Sequence, residues 1–264
     1  MKKIISVISS LLLLSVFGCS KKDSSKVIKV GATPRPHAEM LNLIKDDLKS
    51  QGYELDVIEF TDYVTPNKAL ENNEIDANFF QHLPYMQSFN AEQGFHLASA
   101  AGIHIEPMAV YSKKVSSLAD LKNGAVVAIP NDPTNEGRAL LLLQSAGLIK
   151  VSEEAGLTAT PINIVENPKN FKFSEIEAAS VPRVLQDVDA AVINGNYAIP
   201  AGLVATKDGL FVEGSDSPYV NIICVKEGNE KSAKIEALVN ALKSQKIKDY
   251  VSQTFTAGEV VTVF

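Results

Sequence analysis

Short β-branched runs alternate with segments of helical period along nearly the whole chain, and this alternation constrains the fold more than any other feature. Val27 to Ala32 reads as a strand. Ala38 to Leu48 sets Leu41, Ile44 and Leu48 on one helical face, and Leu55 to Phe60 reads as a strand again. The pattern continues through a helix at Pro66 to Asn72, a strand at Ala77 to Phe80, a helix at Pro84 to Gln93, and strands at His96 to Ala100 and Met108 to Ser112. Strands separated by helices can pair in parallel, because each helix supplies the crossover a parallel pair needs. The chain is therefore expected to be α/β with mainly parallel sheets.

From Leu118 the pattern starts afresh, with a short helix to Lys122, a strand Ala125 to Ile129 and a helix Glu136 to Ala146. A strand Ile162 to Val165, a helix Glu175 to Leu185 and a strand Ala190 to Ile193 follow. This predicts a second sheet. It echoes the first: "EIDANFFQHLPY" (74–85) and "DVDAAVINGNYA" (187–198) both place Asp-Ala before an apolar strand, polar residues at its carboxyl end and a tyrosine soon after. Ligands of open α/β sheets bind outside strand carboxyl ends, so two such ends are expected to face each other across a cleft. A last strand, Tyr219 to Val225, and helices at Ala233 to Leu242 and Ile247 to Phe255 pack most simply on the first unit. The chain then crosses between lobes twice: residues 27–112 plus 218–264 form lobe 1, and 113–217 form lobe 2.

The first residues have the form of an export signal. Lys2 and Lys3 precede an apolar stretch, Ile4 to Val16, that is too short to span a bilayer. It ends in Val16-Phe17-Gly18-Cys19, followed by the polar Ser20 to Lys26. That order resembles a bacterial lipobox and tether: residues 1–18 are cleaved, Cys19 carries the lipid, and residues 19–26 link it to the folded part. The predicted location is a membrane surface outside the cytoplasm. The chain of 264 residues carries −6 at pH 7, and loss of Lys2 and Lys3 makes this more negative still, which argues against a nucleic-acid partner. Once Cys19 is lipidated, Cys224 is the only other cysteine. It lies in an apolar run and reads as a small buried hydrophobe.

A phosphate loop, a Gly-x-Ser-x-Gly elbow and His-Glu-x-x-His are all absent from the sequence, which favours a binding protein without catalytic residues or cofactor. An enzyme using Cys224 or His82 is the rival reading, and a surface adhesin or scaffold is a third. His37, His82, His96 and His104 form no close pair in sequence. His104 with Glu106 alone falls short of the three or four convergent ligands a metal site needs, so no metal is expected. Arginine is rare, being confined to Arg35, Arg138 and Arg183. Arg138 falls in the first turn of a helix that rises from a strand's carboxyl end. Unpaired N–H groups and the positive dipole end there suit an anion, and a guanidinium adds a fork for a carboxylate. The alternative is that it pairs with Glu136 or solvent. Phe80, His82 and Tyr85 lie at one strand end, Asn194 and Asn196 at the other, Tyr63 beyond a third, and Asn221 interrupts an apolar strand. The set suits a small zwitterion with an apolar, polarisable side chain.

Five segments, "GATPRPHAEML", "DANFFQHLPYM", "IHIEPMAVYSKK", "IPNDPTNEGRALLLLQ" and "INGNYA", stand in this order. They resemble the hallmark segments of the methionine-binding lipoproteins of bacterial ABC importers. The resemblance implies a two-lobed periplasmic-binding-protein fold of type II that captures L-methionine and delivers it to a permease driven by an ATPase. It implies that Arg138 holds the carboxylate, that Asn194 and Asn221 hold the amino acid's polar end, and that Tyr63, Phe80, His82 and Tyr85 line the side-chain pocket. Asn196 is expected one layer behind. D-methionine, another small amino acid and a methionine-containing dipeptide remain alternative ligands.

Overall fold

The computed structural model describes residues 24–214 and 217–264, so the expected leader and Cys19 lie outside the described residues. From the amino end come β1 (Val27–Ala32), α1 (Glu39–Leu43), α2 (Lys45–Ser50), β2 (Glu54–Glu59), α3 (Thr65–Glu71), β3 (Ala77–His82), α4 (Leu83–Gln93) and β4 (Leu97–Ile105). The middle of the chain gives β5 (Ala109–Tyr111), β6 (Val126–Pro130), α5 (Pro133–Ser145), β7 (Lys150–Val151), β8 (Ile164–Glu166), β9 (Lys172–Ile176), β10 (Ala190–Ile193), α6 (Gly195–Ala198), α7 (Ala205–Asp208) and β11 (Gly209–Val212). The chain closes with β12 (Asn221–Lys226), α8 (Ala233–Leu242), α9 (Gln245–Thr254) and β13 (Val261–Thr262).

Two sheets result, ordered β13-β4-β12-β3-β1-β2 and β11-β5-β10-β6-β9, with β7 and β8 as a separate hairpin. The expectation of mainly parallel sheets needs correction, because each sheet is mixed. β1 pairs in parallel with β2 and β3, and β6 with β9 and β10, whereas β12 runs antiparallel to both β3 and β4, and β5 antiparallel to both β10 and β11. Apart from β13, which runs antiparallel to β4 at the chain's end, the antiparallel pairs involve strands where the chain enters or leaves a lobe, so no crossover helix dictates their direction. β5 belongs to the second sheet, which puts the first crossing between Ile105 and Ala109, ahead of the expected break after residue 112.

Apolar side chains fill both faces of each sheet. Ile28, Val30, Leu41, Leu48, Phe79, Ile223 and Leu238 join on one face of the first, while Leu70, Met86 and Ile222 join on the other. Val127, Ile129, Leu140 and Leu143 pack α5 onto the second sheet, and Val181, Leu185 and Ile193 cover its far side. Two local expectations fail. The segment expected as a helix from Glu175 to Leu185 is β9 followed by a 3-10 stretch over Ala178–Val184 that contains Pro182, which has no N–H to continue an α-helix. β8 pairs only with β7, and Ile162, expected in a core strand, is 93% exposed.

Candidate functional site

The carboxyl ends of β3 and β10 do face each other, and a small cavity with about 20 Å³ of free space lies between the sheets. Tyr63, Phe80, His82, Tyr85, Arg138, Asn194 and Asn221 all line it, so the seven residues expected to meet a ligand converge in one place. Asn196, expected behind them, lines it as well. Sequence reasoning missed four further lining residues: Gln81, Glu106, Asn135 and Gly195.

Tyr63, Phe80 and Tyr85 form the apolar end, with ring centroids 5.7 to 6.0 Å apart. These are ordinary separations for tilted and edge-on aromatic pairs. Phe80 comes from β3 and Tyr85 from α4, while the Tyr85 hydroxyl donates to the Tyr63 carbonyl at 2.8 Å. Tyr197 of α6 packs on Tyr63 from the other lobe, with centroids 5.0 Å apart, and its hydroxyl donates to the Thr61 carbonyl.

The polar end is built from amides. His82 caps α4: its Nδ1 accepts the Tyr85 N–H, which leaves the proton on Nε2 to donate to Asn135 Oδ1 at 3.3 Å. Asn194 Nδ2 donates to the same oxygen at 2.7 Å. Burial, and then the nearby Arg138, hold the His82 pKa down to about 3, so the ring is neutral. Tyr63 donates from its hydroxyl to Asn196 Oδ1 across the cleft at 2.5 Å. Asn194 Oδ1 and Asn196 Nδ2 are buried without a partner. Orphaned polar atoms cost free energy unless something satisfies them, and these two, an acceptor and a donor on cavity-lining residues, mark where a polar ligand belongs.

Arg138 lies on α5, but the helix begins at Pro133 and not at Glu136, so Arg138 falls in the second turn, past the first-turn N–H groups expected beside it, and its partner is neither Glu136 nor solvent. Its Nε donates to Glu213 Oε1 at 2.9 Å, Nη2 donates to the other carboxylate oxygen of Glu213, and Nη2 also reaches the Glu106 carbonyl at 2.9 Å. The guanidinium stacks on Tyr219, 4.4 Å from the ring centroid. Glu213 and Tyr219 both belong to the second crossing. The two-pronged edge of Arg138 is thus taken up inside the protein, and Nη1 is the guanidinium nitrogen left without a protein acceptor among the described contacts.

Below the amides, Glu106 sits on the first crossing. Its Oε1 accepts from His104 Nε2 at 2.6 Å and lies 3.2 Å from His37 Nε2, which is hydrogen-bonded to Asn221 Oδ1 at 3.2 Å. The backbone N–H of Asn196 hydrogen-bonds the same carboxylate. Gly195 makes room for it, since a Cβ there would stand 2.7 Å from the Glu106 Cβ. His37, His104 and Glu106 are the one group of three potential metal ligands among the described residues. Two ligands on a tetrahedral zinc ion stand about 3.3 Å apart at ordinary bond lengths. The 2.6 Å contact is shorter, so His104 and Glu106 form a hydrogen-bonded pair with His37 beside them. Burial lowers the pKa of His37 to about 4 and of His104 to about 3, and burial raises that of Glu106.

Two mixed sheets linked by two crossings, with a small cavity lined from both lobes, define a two-lobed binding protein of the periplasmic type. Solved structures agree: a nutrient binding protein from Burkholderia cenocepacia bound to methionine is 46% identical, with a TM-score of 0.87 over 90% of this chain and 100% of that one. A lipoprotein from Ruminococcus gnavus is 51% identical, with a TM-score of 0.88 over 90% of this chain and 100% of that one. The chain belongs to the NlpA lipoprotein family, whose model matches residues 28–264. Its relatives include the D-methionine-binding lipoprotein MetQ of Salmonella typhimurium, 42% identical over 94% of this chain and 93% of that protein. The membrane lipoprotein TpN32 of Treponema pallidum is 44% identical over 94% and 92%.

Proposed function

We propose that the protein is the substrate-binding component of an ABC importer: it closes on free methionine between its lobes and hands it to a permease driven by an ATPase, with no catalytic step. The observation that carries the reading is the cavity's division into an aromatic box of Tyr63, Phe80 and Tyr85 and an amide end with two orphaned polar atoms. A thioether is polarisable and favours aromatic neighbours. The amide end suits the amino acid's head, with Arg138 offering Nη1 to the carboxylate and Asn194, Asn196 and Asn221 satisfying what remains. Lobe 1 is residues 27–105 with 221–264, and segments 106–108, 213–214 and 217–220 form the hinge.

Relatives carry the D-methionine name, but the L form is the ligand we expect first, with D-methionine as the second reading. Membrane attachment falls to Cys19, since no helix among the described residues is long and apolar enough to cross a membrane. The test is to denature the purified protein and identify the released small molecule by mass spectrometry and chiral chromatography, followed by titration with each enantiomer. L-methionine in the released fraction is the expected result. A different amino acid, or an empty protein that binds no amino acid on titration, overturns the assignment.

A further inference from the structure

The loop 61–63, between β2 and α3 of lobe 1, is held from both lobes. Asp62 fixes its junction with α3 by accepting the N–H groups of Val64 and Thr65, each at 2.7 Å. From lobe 1 the Tyr85 hydroxyl donates to the Tyr63 carbonyl at 2.8 Å, and from lobe 2 the Tyr197 hydroxyl donates to the Thr61 carbonyl at 3.1 Å. The Tyr63 ring likewise meets rings of both lobes: its centroid is 5.7 Å from that of Phe80 and 5.0 Å from that of Tyr197, both at 35°. Tyr197 is seated on lobe 2, packed against the cluster that contains Val181, Leu185 and Ile193. Tyr63 lines the cavity and Tyr197 does not, so Tyr197 can influence a ligand only through its neighbours. With about 20 Å³ of free space inside, a small shift of one wall decides which side chains fit.

We infer that Tyr197 is a positioning residue that sets the length of side chain the protein accepts: from lobe 2 it holds Tyr63 and its loop against Phe80 and Tyr85. This rests on the reading of the cavity as an amino-acid site. The ring contact restrains the Tyr63 side chain, and the hydrogen bond restrains the backbone two residues earlier. A loop restrained at both points cannot retreat in the closed protein. A longer side chain must then break these contacts or leave the lobes ajar. Size selection is therefore tied to closure, being imposed on the aromatic box by the lobe that carries Arg138 and Asn194.

The experiment is titration calorimetry with methionine and with ethionine, its homologue one methylene longer at sulfur, on the wild type, Tyr197→Phe and Tyr197→Ala. The wild type should bind ethionine at least about tenfold more weakly than methionine, the scale of one excess methylene in a fitted apolar pocket. Tyr197→Ala opens space for the Tyr63 ring to move into. Methionine should bind it more weakly than it binds the wild type, and the ratio of the two ligands should fall to less than about threefold. Tyr197→Phe keeps the ring and loses only the bond to Thr61. Its ratio should lie between the other two, about two- to fivefold below the wild type, the scale of a single hydrogen bond.

A merely structural contact would weaken both ligands alike, so an unchanged ratio in the folded variants overturns the inference. Equal binding of the two ligands by the wild type overturns it as well. Tyr197→Phe decides the matter if Tyr197→Ala does not fold. If the wild type binds a different amino acid in place of methionine, the methionine reading falls, and the inference is tested with that amino acid and its homologue one methylene longer. A protein that binds no amino acid overturns both.

Discussion

At the scale of single residues, Arg138 shows how a sequence signal can be right about place and incomplete about partners. Its rarity and its position near the start of α5 pointed to the cleft. Glu213, 75 residues away, was invisible because nothing in local spacing reports a partner delivered by the second crossing. The pairing changes what substitution should do. Arg138→Ala removes a charge-assisted bond to the ligand, worth about 1.5–3 kcal/mol, and also strands the Glu213 carboxylate, which is 13% exposed. Methionine affinity should fall about tenfold to a hundredfold by calorimetry, and the melting temperature should fall too. Adding Glu213→Gln to Arg138→Ala should recover much of the stability and none of the affinity. Arg138→Lys should bind little better than the alanine variant, because a single ammonium cannot serve Glu213 along two bonds and also reach the ligand. Full affinity in Arg138→Lys would mean that the carboxylate is held elsewhere. Glu106 was hidden for a similar reason. In sequence it stands two residues from His104 and reads as half of a metal site; its other contacts come from His37, Asn196 and Gly195.

At the scale of elements, α5 positions the polar half of the site. Asp132 caps it by accepting the Asn135 N–H at 3.0 Å, and Pro133 opens it, three residues ahead of the start expected at Glu136. Its packing depends on Gly137, where a Cβ would lie 2.2 Å from the Leu157 carbonyl oxygen and 3.0 Å from the Ala159 nitrogen. Backbone cannot yield there as a side-chain tip could. Gly137→Ala should therefore destabilise the protein despite the better helix propensity of alanine, worth about 1 kcal/mol. Overpacking of this kind costs about 1–3 kcal/mol or more, a drop of several degrees in the melting temperature. Because Asn135 and Arg138 ride on the same turns, methionine affinity should fall with it; a melting temperature at or above wild type would refute the close contact. Elements with strong periodicity were legible in sequence: β1, the α1–α2 region, β2, β3, α4, α5, β10 and β12 all stand close to where alternation and helical spacing put them. Elements governed by tertiary context were not. β5 is three residues long and fully buried, so it carries no polar face to say which sheet it joins. The 3-10 segment before Leu185 has apolar spacing that imitates an α-helix, although Pro182 argues against one.

At the scale of the molecule, the lobes meet through few bonds: Tyr63 with Asn196, His82 with Asn135, Tyr197 with Thr61, Thr206 with Ala257, and the carboxylate of Glu106 with the backbone of Asn196. Each is a single hydrogen bond worth about 1 kcal/mol net. Each lobe has its own apolar core, so these bonds can break without exposing either core. Closure is therefore easily reversed until a ligand adds contacts to both sides, and the ligand can shift the equilibrium only by as much as it prefers the closed form. The convergence of the seven candidate residues on one cavity was legible at this scale because two strand ends in facing sheets must meet, whereas the closing bonds depend on side-chain reach that no pattern encodes. A ligand that binds only the folded, closed protein stabilises it by about 2.7 kcal/mol at a hundred times its Kd. For a chain of this size that raises the melting temperature by about 5–11 °C. Saturating methionine should produce that rise and also reduce the radius of gyration in small-angle scattering. Tyr63→Phe, which removes the bond to Asn196 while keeping the ring, should widen the ligand-free distribution and leave the saturated one nearly unchanged. A melting temperature that rises with no change in scattering would mean that the lobes stand closed before the ligand arrives, and the hinge assigned to 106–108, 213–214 and 217–220 would then be a rigid joint.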